Sequence, residues 1–295
     1  MNILSFGAVL WDVIEGREYL GGAPFNVAAH LAQCRVTSFI CTRVGNDQRG
    51  RRVLLEMDRL GVDRALVTVD PEHPTGFVTV TLAEGQPTYV IHENVAWDFI
   101  EINASDLDRL SDLDFRAFCF GTLDQRSEVS QRTLNRLLET LPKMPVLFDV
   151  NLRQHYYSAD IIRQSLAKSS ILKLNHQETG VLGELLYGET LSDEKFARRV
   201  AADYGLAVVL VTLGSRGCAV LHDGRNEIVD GRPVRVVDAV GAGDAFSAGF
   251  LFKYCQGAAP MEAVRLANEL GAFVASQRGA IPDYPDEIRE MLTAS

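Results

Sequence analysis

Apolar runs recur along the chain at 2–6, 37–42, 115–120, 145–150, 170–174 and 207–213, each bounded by turn-forming or polar residues. Runs of this kind predict strands buried on both faces, as in a parallel sheet covered by helices. Between them, apolar positions at helical spacing predict amphipathic helices at 24–34, 49–60, 127–141, 158–168 and 192–204. Pro24 suits the first helical position of one of them, and Gly61 closes another. Strands alternating with helices predict an α/β fold with a mostly parallel sheet, a single domain over 1–295. The alternation breaks between Thr75 and His92, where two β-rich runs flank Glu84-Gly85-Gln86-Pro87 and predict a hairpin. A hairpin cannot serve as a crossover helix. It would project from the sheet, so residues 13–20 and 75–98 are read as a small lid over a pocket, the alternative being a plain surface hairpin.

Composition changes this picture little. The 295 residues are 47% hydrophobic and 23% charged, as in ordinary globular chains. A formal charge of −10 without a Lys/Arg-rich stripe argues against nucleic-acid binding, and the expected ligands are small. Cys34, Cys41, Cys119, Cys218 and Cys255 are scattered and suggest buried thiols rather than a disulfide framework or a zinc site. No basic segment with an apolar signal core opens the chain, and no run approaches the ~18 apolar residues of a membrane span. A cytoplasmic protein is expected, which makes the Asn103-Ala104-Ser105 sequon incidental.

The stretch richest in chemistry is Val237-Asp238-Ala239-Val240-Gly241-Ala242-Gly243-Asp244-Ala245-Phe246, which leads into a helix. Glycines at 241 and 243 let successive backbone N–H groups turn inward, and the helix start adds its positive dipole end. Such a turn cradles a phosphate. An acid in a first helical turn is also an ordinary dipole partner. Beside an anion cradle, however, a carboxylate repels bound phosphate, which favours Asp244 as a general base. Other glycine motifs fail: a dinucleotide fingerprint needs glycine where Phe246 stands, and the nearest Walker-type match puts Glu189 at the lysine position.

Six stations in order carry a resemblance. Gly21-Gly22-Ala23-Pro24-Phe25-Asn26, Arg43-Val44-Gly45-Asn46-Asp47, Asp149-Val150-Asn151-Leu152-Arg153, Asn175-His176-Gln177-Glu178, Val211-Thr212-Leu213-Gly214 and Ala267-Asn268 accompany the late Gly-Ala-Gly-Asp. Together they resemble the ribokinase-like, or PfkB, family of carbohydrate kinases over essentially the whole chain, and look most like bacterial fructokinases. The resemblance implies a three-layer α/β/α ribokinase-like fold with a small β-sheet lid. It implies an ATP-dependent kinase acting on a primary hydroxyl of a sugar, with fructose to fructose 6-phosphate the leading expectation. Rivals in the same fold are 2-keto-3-deoxygluconate kinase, ribokinase and nucleoside kinase. From another class, a sugar-binding regulator without catalysis remains open.

By residue, the expectation is Asp244 as catalytic base and Gly241, Ala242 and Gly243 as anion hole. Gly21 and Gly22 let backbone approach a sugar, and Asn26 offers both a donor and an acceptor. Asp12 joins them by resemblance. Arg153 follows a strand end, and its planar fork suits phosphate or sugar oxygens. Asn175 and Glu178, three apart, could hold Mg2+ through water beside ATP, although Asn-x-x-Glu is also a capping pair. Thr212, Gly214 and Asn268 are implied to lie against the nucleotide. The family also binds K+ near Asp238 to Val240 and a C-terminal loop, here around Val274 to Asp283, where the acid at 283 weakens that expectation. A homodimer through the lid is expected, with no membrane partner.

Overall fold

A computed structural model describes residues 1–83, 86–103, 107, 110 and 113–293. Glu84 and Gly85 of the hairpin turn and Ala104 and Ser105 of the sequon lie outside the described residues. The parallel core of the large sheet consists of β1 (Asn2–Phe6), β4 (Thr37–Gly45), β9 (Phe115–Gly121), β10 (Val146–Asp149), β11 (Ile171–Asn175) and β12 (Val208–Thr212). With β5 (Val62–Asp63), β13 (Cys218–His222) and β14 (Arg225–Val229) added, the order among the described residues is β14-β13-β12-β11-β10-β9-β1-β4-β5, and β6 (Val67–Asp70) also pairs with β4. The predicted runs therefore fall on these strands to within a residue or a few. What periodicity did not predict lies at the edges: β5 and β6 beside β4, and the antiparallel pair β13 and β14.

Side-chain alternation divides the core in two. Ile3, Ala117, Leu147, Ile171 and Leu210 face one side, and Leu4, Phe118, Phe148, Leu172 and Val209 the other. The first face is covered by α1 (Ala23–Gln33), α7 (Ala242–Cys255) and α8 (Pro260–Ala275), with α9 (Asp286–Thr293) completing that layer. The second is covered by α3 (Glu128–Thr140), α4 (Ala159–Ala167), α5 (His176–Tyr187) and α6 (Asp193–Tyr204). The helix α2 (Gln48–Leu60) starts on Asp47, whose Oδ1 accepts from Gly50 N at 2.7 Å, and stops on Gly61 in the left-handed region at φ 73°. The three-layer α/β/α architecture expected from the resemblance is the one observed.

A separate four-stranded sheet runs β3-β2-β7-β8, from β2 (Leu10–Ile14), β3 (Arg17–Gly21), β7 (Gly76–Ala83) and β8 (Gln86–Ile91). The predicted hairpin is its β7–β8 half, and β2 joins it in parallel to β7. Two boundaries differ from the sequence reading. Asp12 sits on the small sheet itself, because β2 begins at Leu10. The far end of the 75–98 segment leaves that sheet after Ile91: Ala96–Phe99 form a 3-10 turn, and Trp97 is sunk in the main core.

The sheet order fixes where ligands can bind. From β1 the chain crosses to β4 on one side, and the later strands β9 to β12 extend from the other side of β1. The crevice at the carboxyl ends of β1 and β9 is therefore a topological switch point, the position open α/β sheets use for ligands. At or just past the carboxyl ends of the parallel strands stand Gly7, Gly45, Gly121, Asp149, Asn175 and Thr212.

Candidate active site

The helix α7 begins on Gly241, which has φ 79° and no side-chain cap. A Cβ there would stand 2.4 Å from the Ala280 carbonyl oxygen, so glycine is required by both conformation and space. The first N–H groups of a helix lack intrahelical acceptors and carry the positive end of its dipole. With no side chain capping them, the N–H groups of Gly241, Gly243 and Asp244 are open to an anion, whereas Ala242 N, expected in the anion hole, donates to Ala239 O at 3.3 Å.

Asp244 lies in this first turn, and its Oδ2 accepts a 2.7 Å hydrogen bond from Asn26 Nδ2. Burial of the carboxyl pushes Asp244 up to about 6, aided by Asp149, against the Asn26 hydrogen bond and the charges of Lys173 and Arg153. Asn26 is 4% exposed on α1, and its Oδ1 is buried without a partner. A buried acceptor left unpaired costs free energy, on the order of 1–3 kcal/mol. A hydroxyl donor placed there would remove that cost.

Gly21 and Gly22 precede α1. A Cβ on Gly21 would lie 2.9 Å from Asp12 Oδ2, and one on Gly22, at φ 108°, 2.5 Å from the Ala8 carbonyl oxygen. The glycine pair thus lets backbone and the Asp12 carboxyl crowd together. Burial pushes Asp12 up to about 6, opposed by the charge of Arg153. Arg153 is exposed and donates from Nη1 to Leu152 O at 3.0 Å, with no ion pair among the described residues. Asn26 holds Asp244, and the Arg153 charge acts on both Asp12 and Asp244, so the four lie near one another between the small sheet and the start of α7.

Beneath the α7 turn lies a pair that sequence reasoning left without a role. Asp149 and Lys173 are register partners on β10 and β11, and Lys173 Nζ donates to Oδ1 at 2.9 Å and Oδ2 at 2.7 Å. Ser247 of α7 adds a 2.9 Å bond to Asp149 Oδ2. Lys173 Nζ is 3.6 Å from where a Gly243 Cβ would stand. Burial is the largest influence and works against its charge, but the charge and hydrogen bond of Asp149 together with the charges of Asp244 and Glu178 outweigh it and hold the ammonium protonated. The available signal was a lysine in the otherwise apolar Ile171-Leu172-Lys173-Leu174 strand, which must find a buried anion. A second unassigned carboxyl, Asp124, accepts Ala8 N at 2.7 Å against Gly7 and is pushed up to about 7 by burial.

The pfkB family carbohydrate kinase model matches residues 4–287. The chain belongs to the PfkB family. It is 28% identical over 278 residues to the fructokinase of Escherichia coli, covering 90% of this chain and 88% of that one. To a putative sugar kinase of Pyrococcus horikoshii it is 27% identical over 301 residues, covering 94% and 91%. The fructokinase of Vibrio cholerae O395, solved in a fructose, ADP and calcium ion bound form, superimposes with a TM-score of 0.84 at 26% identity over 99% of this chain and 98% of that one. The protein is thus a PfkB carbohydrate kinase with the ribokinase-like fold, and its relatives include fructokinases. No helix among the described residues is long and apolar enough to cross a membrane.

Within this PfkB chain the remaining stations divide. Asn175 caps α5, accepting from Gln177 N at 2.9 Å and Glu178 N at 3.0 Å, while Glu178 Oε2 accepts Asn175 N at 2.8 Å. Glu178 Oε1 takes Leu152 N at 2.8 Å, so both carboxylate oxygens already hold backbone donors. The capping pair is formed in full. No group of three His, Cys, Asp or Glu among the described residues is arranged to hold a metal. Direct coordination of Mg2+ by this pair does not fit. Only an ion held mainly by nucleotide phosphates and water suits the residues present.

Thr212 ends β12, its Oγ1 3.4 Å from Leu174 O, and Gly214 starts the next turn at φ 62°. Asn268 donates from Nδ2 to Val229 O at 3.2 Å and Asp230 O at 3.1 Å, tying α8 to the end of β14. Its amide donors therefore go to backbone. Asp238 accepts from Val240 N and Gly279 N, which brings the 238–240 and 274–283 segments side by side. The exposed Asp283 carboxylate pairs with Arg59 at 3.7 Å.

Proposed function

We propose that this PfkB kinase transfers the γ-phosphoryl group of ATP to a primary hydroxyl of fructose, giving fructose 6-phosphate, with Asp244 as general base. The observation that carries the reading is Asp244 in an uncapped glycine turn, held by Asn26 and pushed up to about 6. A base poised there is deprotonated at neutral pH yet basic enough to take a hydroxyl proton in the transition state. The N–H groups of Gly241, Gly243 and Asp244 stabilise charge on the transferring group, Ala242 N being held by Ala239 O, and the Lys173–Asp149 pair holds the turn from below. Asp12, the Gly21-Gly22 backbone and the orphaned Asn26 Oδ1 bind sugar hydroxyls, and Arg153 reaches sugar or phosphate oxygens.

ATP lies along the ends of β11 and β12, near Thr212 and Gly214, where exposed Val236, Val237 and Val240 offer an apolar rim for its base. Asn268 shapes that side through its tether. Mg2+ travels with the phosphates, Glu178 at most ordering its water, and K+ would occupy the Asp238 to Val240 turn. The small sheet acts as a lid, excluding water. Its exposed Ile14, Tyr19 and Tyr89 would pair with a second copy's lid in a homodimer.

One observation favours a second reading. Arg153 is an exposed cation without an ion pair among the described residues and faces Asp12, which suits a substrate carrying a carboxylate, as 2-keto-3-deoxygluconate does. Coupled ADP release over a panel of ketoses, aldoses, keto-acids and nucleosides tests the proposal. Fructose turning over at least tenfold more efficiently than the rest supports it. A keto-acid leading instead replaces the substrate, and sugar binding without ADP release favours a regulator.

A further inference from the structure

The face of α1 that carries Asn26 continues past its contact with Asp244. One turn on is His30, 0% exposed, with Nε2 2.9 Å from Ala280 O and Nδ1 2.9 Å from the Tyr284 hydroxyl. A carbonyl oxygen only accepts, so Nε2 carries the proton and Nδ1 accepts from tyrosine. One neutral tautomer satisfies both ring nitrogens. A further turn on, Gln33 donates to Pro282 O at 3.2 Å and accepts from Tyr284 N at 2.8 Å. Residues 26, 30 and 33 share one helical face, so a single face of α1 holds Asp244 at one end and the 280–284 loop at the other.

That loop is the floor of the anion turn. A Cβ on Gly241 would meet the Ala280 carbonyl oxygen at 2.4 Å and its Cα at 2.7 Å, and this carbonyl is the atom His30 holds. From the other side, Gly279 N donates to Asp238 Oδ2 at 3.2 Å, three residues before Gly241. The base and the cradle are thus referenced to the same helix by different side chains.

We infer that His30 is a positioning residue for phosphoryl transfer: through Ala280 it sets the Gly241–Gly243 turn against Asp244, which the same helix holds through Asn26. This rests on the roles proposed above for Asp244 and the turn. A misplacement of about 1 Å in a reacting group can cost up to ~10²-fold in rate. Donation to Ala280 is the bond that matters, and the two amides distinguish it. Glutamine at 30 places an amide donor near the Nε2 position, whereas asparagine is too short and reproduces only the Nδ1 end.

The test is steady-state kinetics on the full chain with its best sugar, alongside thermal melting. His30→Asn is expected to lower kcat about tenfold with the sugar KM changed less than threefold, and His30→Gln to stay within about threefold of the parent kcat. Residual activity should follow the donor rather than the melting temperature. A folded His30→Asn within twofold of the parent kcat, or equal losses in the two variants, overturns the inference. If His30→Asn does not fold, His30→Met, which fills similar space and has no donor, decides: a kcat lowered about tenfold supports it, and an unchanged kcat overturns it. Asp244→Asn in the same assay separates the failures, since turnover surviving there sinks the base assignment, while a dead Asp244→Asn beside unaffected His30 variants sinks only the strut.

Discussion

Two helix starts on the same edge of the sheet carry an acid in the first turn, and they do opposite things. At α5, Asn175 and Glu178 close a complete capping box, and Glu178 also takes the Leu152 N–H. At α7, Gly241 offers no side chain, and Asp244 reaches across to Asn26 on another helix instead of back to its own backbone. The first start satisfies its donors internally; the second leaves those of Gly241, Gly243 and Asp244 for a ligand. An acid near a helix N-terminus is therefore informative only once the partners of its oxygens are known. That difference turns a pair of similar motifs into one structural cap and one candidate reaction centre.

Mutations at the two starts should separate accordingly. Gly241→Ala should be the most damaging, because a Cβ meets the Ala280 carbonyl and φ 79° disfavours alanine. We expect kcat to fall by ~10²-fold, comparable to losing a donor to a developing oxyanion. An alanine variant with normal turnover would remove the anion-cradle role. Next, Asp124→Asn should stabilise the protein. Asp124 is buried and pushed from 3.8 up to about 7, so the native state favours its protonated form. The stability this contributes is complete below about pH 4 and lost as pH rises through about 7. Asparagine keeps an acceptor for Ala8 N, so its advantage, of order a few kcal/mol, should appear in melting curves at pH 8 and vanish near pH 4. An equal shift at both pH values would contradict a charge-based cause. Smallest, Asn175→Ala should cost about 1 kcal/mol of stability while changing the ATP KM less than threefold. A large rise in that KM with unaltered melting would restore a direct nucleotide role to the α5 start.

Much of the fold was legible because the parallel strands are buried on both faces and read as uninterrupted apolar runs. The antiparallel edge was not: β14 has Arg225, Glu227 and Ile228 exposed, and so has neither a continuous run nor a clean alternation. At the site, the glycine turn, Asp244 and Asn26 could be singled out because glycines with forced conformations leave a local signature, whereas Asp12 came from the family resemblance alone. Asp149 and Lys173 needed the register of two strands separated by a helix before their pairing showed. His30 reads as one more polar residue in an apolar helix until the far end of the chain folds beneath it, 250 residues later in sequence. Asn175 and Glu178 carried two readings with one spacing, and only the direction of their oxygens separates them.

The pH dependence of kcat/KM for ADP release reports on Asp244 as the base. Activity should fall along an acidic limb as pH drops below about 6, where the Asp244 carboxylate takes up its proton. Asp244→Asn should lose ~10²–10⁴ in rate, with the limb gone and sugar binding by calorimetry retained. An Asp244→Asn enzyme with near-parental turnover and the same acidic limb would contradict it.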